Sequence, residues 1–138
     1  MIPSTYKDAK IVVTPNVPMI DDYFAIWALN YDLTPTIYID TNVVEAVGNG
    51  DIALEDLINS TLAHEYDEAK LSIGLALKLG YDKEYIKENF TGLSPKDDKI
   101  FEIGGEAHEI LANNYPGGRK EFEEQLSREF DIVYGYGT

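Results

Sequence analysis

The stretch DIALEDLINSTLAHEYDEAKLSIGLALKL, residues 51–79, decides the fold, because it predicts one long helix in a chain of 138 residues. On a helical wheel its apolar residues cover a very wide arc, so this helix is expected to be largely buried. Glu65 falls in the middle of the apolar arc, Glu68 falls inside it, and His64 lies at its edge. Three ionisable groups are therefore aimed at the protein interior within two helical turns.

Ionisable groups in the interior need partners. A buried carboxylate without one is costly, so it must be paired, protonated or bound to a cation. The chain has only two histidines, and the second, His108, lies on a mainly apolar helical face between Glu106 and Glu109. Packing this helix against the first would bring His108 and the three interior groups into one pocket. We expect the two imidazoles to lie within about 10 Å of each other.

Residues 64–68 read HEYDE and match the pattern H-E-x-x-E. In zinc peptidases the pattern is H-E-x-x-H, in which both histidines bind the metal and the glutamate is the base. A carboxylate at Glu68 still suits a divalent metal, and His108 would complete a set of two histidines and one carboxylate. Glu65 would then be the general base. Two interpretations without metal stay open: a structural His–Glu cluster that ties two helices together, and an acid–base pair of histidines such as a phosphodiesterase requires.

The rest of the sequence predicts a mainly helical α+β single domain over residues 1–138, with about three short strands. The strand candidates are residues 11–14, 36–39 and 132–134. The long helix is expected to start at the Asp51 cap and to stop at Gly80. Four further helices are predicted: one from Pro18 with an apolar stripe of Ile20, Phe24, Trp27 and Tyr31; one from Asp82 to Phe90; one that starts at Ser94-Pro95 and bends near Gly104-Gly105; and a last one with Phe122, Leu126 and Phe130.

The amino-acid composition excludes some kinds of function and favours others. The chain has 25 acidic residues against 11 lysines and arginines, a net charge of −14, which repels nucleic acid and anionic membranes and suits cations or a basic protein partner. The absence of cysteine excludes disulfides, thiol nucleophiles and thiolate metal sites. No apolar run approaches the ~20 residues of a membrane span, and the N-terminus lacks the layout of a signal peptide. A cytoplasmic site of action is therefore expected.

Residues 37–42, IYIDTN, place Asp40 at the end of a β-like run and just before a helix-forming stretch. This resembles the opening of PIN-domain ribonucleases, whose first metal-binding aspartate ends the first strand. The resemblance implies a nuclease in which Asp40 and Glu65 are metal-binding acids, although the late pair of aspartates has no counterpart. From the residues alone, Asp40 is favoured as a helix cap together with Thr41.

Two further segments, LAHEYDEAKL at 62–71 and EAHEILANNYPGG at 106–118, are similar to the C-terminal toxin domains of bacterial polymorphic toxin systems. The resemblance implies a small effector, often a nuclease or another hydrolase, that a dedicated immunity protein neutralises. The matching site positions are His64, Glu65, Glu68, Glu106 and His108.

The acidic charge also fits the other half of such a pair, because immunity proteins are commonly acidic and bind a basic toxin. The alternative to an enzyme is thus a non-enzymatic acidic binder, such as an immunity protein, an inhibitor or a nucleic-acid mimic. It would need one continuous surface of exposed acids, namely Glu45, Asp51, Glu55, Asp56 and Asp67.

The interior position of the acids favours the hydrolase narrowly. Its catalytic residues would be His64, Glu65 and His108, with Glu68 as a metal ligand and a divalent metal ion as the candidate cofactor. Asp40, Glu106 and Glu109 are the candidate binding residues. A protein partner of the toxin–immunity type is expected, and nucleic acid only as a substrate.

Overall fold

The computed structural model describes residues 2–15 and 25–135. These residues include a four-stranded sheet of β1 (Thr5–Tyr6), β2 (Ala9–Thr14), β3 (Ala25–Leu29) and β4 (Pro35–Asp40). The strand order is β1-β2-β4-β3, in which β2 and β4 are parallel and the other neighbours are antiparallel. Strand β3 therefore lies at one edge of the sheet.

Helices make up most of the remaining structure and confirm the predicted mainly helical α+β fold. They are α1 (Thr41–Gly48), α2 (Leu54–Leu57), a π-helical segment (Ile58–Leu62), α3 (Ala63–Lys78), α4 (Lys83–Asn89), α5 (Lys99–Asn113) and α6 (Arg119–Tyr134). Among the described residues, none of these helices has the length and apolar character needed to cross a membrane.

The predicted long helix exists as α2, the π-helical segment and α3 in direct succession. It begins at Leu54 with Ala53 at the N-cap, so Asp51 is not its cap. It ends before Gly80, whose φ of +103° is a conformation that favours glycine. The π-helical segment adds a residue to one turn and shifts the faces before and after it relative to each other. Because the segment ends before His64, the predicted angles among His64, Glu65 and Glu68 are unaffected.

Two apolar clusters form the core. One joins the buried face of the sheet, including Ile37 and Ile39, to Leu57 and Leu62 of the long helix and to α6. The other lies between α3, α4 and α5 around Phe90. The candidate site lies where these two clusters meet, because its cavity has walls from both.

Residues 132–134, predicted as a strand, belong to α6 instead. The predicted start of a helix at Ser94-Pro95 is also wrong, since α5 begins at Lys99. Helix α5 then continues through Gly104 and Gly105 without the expected break. A Cβ on Gly104 would lie 3.3 Å from Cζ2 of Trp27, so the absence of a side chain there allows close packing against β3 and does not mark a bend.

The helix predicted around Trp27 and Tyr31 is wrong where the structure describes it, because residues 25–29 form β3. Residues 18–24, where that prediction starts, lie outside the described residues. A tight turn after β3, with a backbone hydrogen bond of 2.8 Å from Asn30 N to Thr34 O, returns the chain into β4. Pairing along β4 thus outweighs the helical spacing of the aromatic residues.

Several local predictions are confirmed. The strands predicted at 11–14 and 36–39 are β2 and β4, and the last helix is α6. Asp82 caps α4, because its side chain accepts a hydrogen bond of 2.8 Å from the backbone N of Tyr85.

Glu129 of α6 is a buried carboxylate, only 1% exposed. Ser60 of the π-helical segment donates to its Oε1 at 2.5 Å, and Gln125 donates to its Oε2 at 3.0 Å. Burial raises the pKa of Glu129 more than these two hydrogen bonds lower it. The contact with Ser60 ties α6 to the π-helical segment.

The raised pKa of Glu129 predicts a pH-dependent stability. The folded state holds the proton of this carboxyl more tightly than the unfolded chain, so the contribution of Glu129 to the free energy of unfolding should fall as the pH rises above 4.5. The slope from this group is at most about 1.4 kcal/mol per pH unit. Glu129→Gln cannot ionise, so its stability relative to the natural protein should increase from pH 4 to pH 8 in urea titrations. A difference that stays constant with pH would contradict the assignment.

Candidate functional site

The two histidines meet between α3 and α5, which pack against each other. Nε2 of His64 lies 3.0 Å from Nδ1 of His108, and the ring centroids are 4.9 Å apart. Glu68, one turn after His64, places Oε2 3.1 Å from His64 Nε2 and 3.2 Å from His108 Nδ1. The predicted convergence of the histidines is confirmed.

Strand β3 contributes a fourth group, Trp27. Its indole Nε1 donates a hydrogen bond of 2.9 Å to Oε1 of Glu68. Burial raises the pKa of Glu68, but the hydrogen bonds from His108, His64 and Trp27 outweigh burial and lower that pKa to about 2. Glu68 is therefore an ionised carboxylate whose two oxygens have different partners.

The two imidazoles differ in their environment. The hydrogen bond to Glu68 raises the pKa of His108, and partial burial opposes this change. The side chain of His108 is 37% exposed, whereas that of His64 is buried. Phe122 of α6 packs against the His64 ring with a centroid distance of 4.6 Å, which holds this ring in place.

Glu65 lies in the same cavity but has no hydrogen bond or ion pair among the described residues. Burial, followed by repulsion from Glu68, raises its pKa well above the ordinary value. Two carboxyls less than one helical turn apart thus have their pKa values shifted in opposite directions. Such a divergence is typical of acid–base sites, where the environment assigns each carboxyl a different role.

These residues line a cavity of about 690 Å³, a volume typical of ligand sites. Its polar wall comes from the long helix and from the C-terminal half of α5. Its apolar wall comes mainly from β3, from the loop after α4 and from the N-terminal half of α5.

The other predicted binding residues have separate positions. Asp40 caps α1 by accepting a hydrogen bond from Asn42 N at 2.9 Å, and it accepts another from the Tyr134 hydroxyl at 2.8 Å. It is therefore a structural cap and lies outside the His–Glu cluster. Glu106 is exposed on α5 and does not line the cavity. Glu109 lines the cavity and forms an ion pair with Arg119.

The cluster has the geometry of a metal site. One ligand atom from each of His64, Glu68 and His108 lies within 4.8 Å of the other two. In a tetrahedral zinc site with bonds of about 2.0–2.1 Å, ligand atoms lie about 3.3 Å apart. The observed separations of 3.0–3.2 Å are close to that value, and the Trp27 hydrogen bond leaves Oε2 of Glu68 directed at the two histidines.

No protein-family model matches the chain, and the curated proteins and solved structures give no significant match to it. The function is therefore argued from the chemistry of the site alone.

Two conservative variants separate the roles of the carboxyls. Glu65→Gln removes a half-buried acid that has no hydrogen bond or ion pair among the described residues, so we expect the melting temperature to stay the same or to rise by up to about 4 °C. Glu68→Gln removes the charge that accepts three hydrogen bonds, so we expect a loss of about 2 kcal/mol in the free energy of unfolding. Thermal and urea denaturation of the metal-free proteins measure both effects. The opposite order of stabilities would show that Glu65 is the paired carboxylate.

Proposed function

We propose that the protein is a hydrolase that uses a divalent metal ion, held by His64, Glu68 and His108, and that Glu65 is its general base. The observation that carries this proposal is the close spacing of the three ligand atoms beside Glu65, whose carboxyl has no hydrogen bond or ion pair among the described residues and lines the same cavity. The ligand set of two imidazole nitrogens and one carboxylate oxygen suits zinc. Three protein ligands leave one position for water, as in catalytic zinc sites.

A divalent metal held by His64, Glu68 and His108 would supply a water of lowered pKa and would polarise the carbonyl group of the substrate. Glu65 would take a proton from the water that adds to the carbonyl carbon, and would return that proton to the leaving group when its bond to the carbon breaks. Burial and the neighbouring charge of Glu68 raise the pKa of Glu65, which is the direction that a general acid and base needs.

The surroundings of the site favour a carbonyl compound over a phosphodiester. Among the described residues, neither lysine nor arginine lines the cavity. Arg119 lies nearby but forms ion pairs with Glu109 and Glu123. Together with the net charge of −14, this leaves the metal as the main positive group for a polyanionic substrate, which argues against a nuclease.

The alternative of an acidic binding protein stays a prediction. The acids that it requires, Glu45, Asp51, Glu55, Asp56 and Asp67, are all exposed, as is usual for charged residues. Pairing of this chain with a toxin or an immunity protein likewise stays a prediction.

Zinc binding tests the ligand set directly. In competition with a chromogenic chelator, the metal-free protein should bind one zinc ion per chain. His108→Ala should weaken binding by more than the roughly 10–100-fold that is typical of changes outside a ligand set. The matched control is Glu106→Ala, which alters an exposed residue of the same helix and should leave the affinity unchanged. If the natural protein binds no zinc, or His108→Ala binds it equally well, the cluster is structural and the proposal fails.

Trp27 is the only tryptophan of the chain, so its fluorescence should report metal binding at Glu68.

Trp27→Phe keeps an aromatic ring in β3 but removes the N–H, and we expect zinc affinity to fall about 10–100-fold in the chelator assay. Tyr31→Phe, in the turn after β3, is the control with unchanged affinity. Equal affinities of all three proteins would exclude a role for Trp27 in orienting Glu68.

A further inference from the structure

The cavity extends from the His–Glu cluster into an apolar arm, whose floor is one face of α5. His108 lies at the polar end, and Gly105, Gly104, Phe101 and Ile100 follow along the same face towards the start of the helix. With a rise of 1.5 Å per residue, the arm runs about 12 Å along α5 from His108 to Ile100.

The opposite wall of the arm is also built from fixed elements. Ile26 and Leu29 of β3 line it, together with Phe90 and Leu93 from the loop after α4. This loop is tied to β3, because the backbone N of Gly92 donates a hydrogen bond of 2.8 Å to the carbonyl O of Leu29. The arm is therefore bounded by the sheet, a helix and a loop that is anchored to the sheet.

The two glycines of α5 that line the cavity, Gly104 and Gly105, have different surroundings. At Gly104 a Cβ would lie 3.3 Å from Cζ2 of Trp27, so a side chain would press on the residue that holds Glu68. At Gly105 a Cβ would meet no atom within 4 Å. Gly105 is exposed and lines the cavity, so a larger side chain has room there without a clash.

We propose that the arm binds a bulky apolar group of the substrate, which is an uncharged carboxylic ester or amide. This inference rests on the proposed function, because it assigns the substrate class of the same site. The charged residues of the cavity, Glu65, Glu68, Glu109 and the histidines, lie on the long helix and at the His108 end of α5. The side chains that line the rest of the arm, on β3, on the loop after α4 and on the N-terminal half of α5, are apolar, so a charged group of the substrate would find no charged partner in the arm. Water adds across the acyl bond and releases a carboxylic acid and an alcohol or amine.

The first experiment measures inhibitor affinity against chain length. Hydroxamates bind metals through one end, so a series from acetohydroxamate to decanohydroxamate places an alkyl chain of increasing length in the arm of the zinc-loaded protein. We expect the affinity to rise by about fourfold per methylene until the arm is filled. Affinity that does not depend on chain length would overturn the inference.

Two sources of the apolar group share this chemistry, namely an amino-acid side chain and a fatty acyl chain. The hydroxamates of N-acetylleucine and N-acetylphenylalanine, which carry no charged amine, are therefore measured beside the alkyl series. Tighter binding of the amino-acid compounds assigns the arm to a peptide side chain, and tighter binding of the long alkyl compounds assigns it to an acyl chain. If acetohydroxamate binds as tightly as the amino-acid and long alkyl hydroxamates, the arm does not bind an apolar group and the inference is wrong.

The second experiment blocks the arm. Gly105→Leu should weaken decanohydroxamate at least tenfold and leave acetohydroxamate unchanged. Gly74→Leu is the matched control, since Gly74 is also a helical glycine whose Cβ would meet no atom within 4 Å, and it does not line the cavity. An equal loss for the short and long inhibitors in Gly105→Leu would contradict the inference.

A third measurement separates this inference from the metal proposal. The metal-free protein is titrated with 1-butanol, 1-hexanol and 1-octanol, and binding is followed by Trp27 fluorescence. Affinity that rises with chain length and is lost in Gly105→Leu supports the apolar arm even if zinc does not bind. If zinc binds but affinity does not depend on chain length in either series, the metal site is supported and the inference that the arm binds an apolar group is wrong.

Discussion

The structure around the site depends on one constraint, which is the ionised carboxylate of Glu68 between two helices and a strand. Such a group is costly to bury unless its oxygens have partners. Trp27 supplies one hydrogen bond from β3, and His64 and His108 supply the others from α3 and α5. These partners require the three elements to meet at one point, so the carboxylate fixes the position of β3 relative to the helix pair.

The same constraint separates the chemistry of Glu68 from that of Glu65. Trp27, His64 and His108 all contact the carboxylate of Glu68, whereas Glu65 has no hydrogen bond or ion pair among the described residues and lies beside the negative charge of Glu68. Burial and the neighbouring charge of Glu68 raise the pKa of Glu65, while hydrogen bonds lower that of Glu68. Opposite shifts of two neighbouring carboxyls are a feature of many sites of proton transfer, although ion-pair networks also produce them.

Periodicity was sufficient to predict the helical half of this site. The wide apolar arc of the long helix placed His64, Glu65 and Glu68 in the interior, and the apolar face of α5 did the same for His108. The contribution of Trp27 was not predictable in this way, because its spacing to Tyr31 matches a helix while its backbone pairs with β4. Likewise, the sequence predicts a bend at Gly104, whereas in the structure this glycine allows close packing against Trp27. Both errors concern residues whose conformation is decided by contacts distant in sequence.

Trp27 links the two halves of the cavity. Its indole N–H orients the carboxylate of Glu68, and its ring lines the cavity and packs against Gly104. A larger residue at Gly104 would therefore press on Trp27 and alter both the orientation of Glu68 and the shape of the cavity. Gly105 lacks this contact, although it lies on the same face of α5. For that reason Gly105 is the position at which the apolar arm can be altered while the His–Glu cluster keeps its geometry.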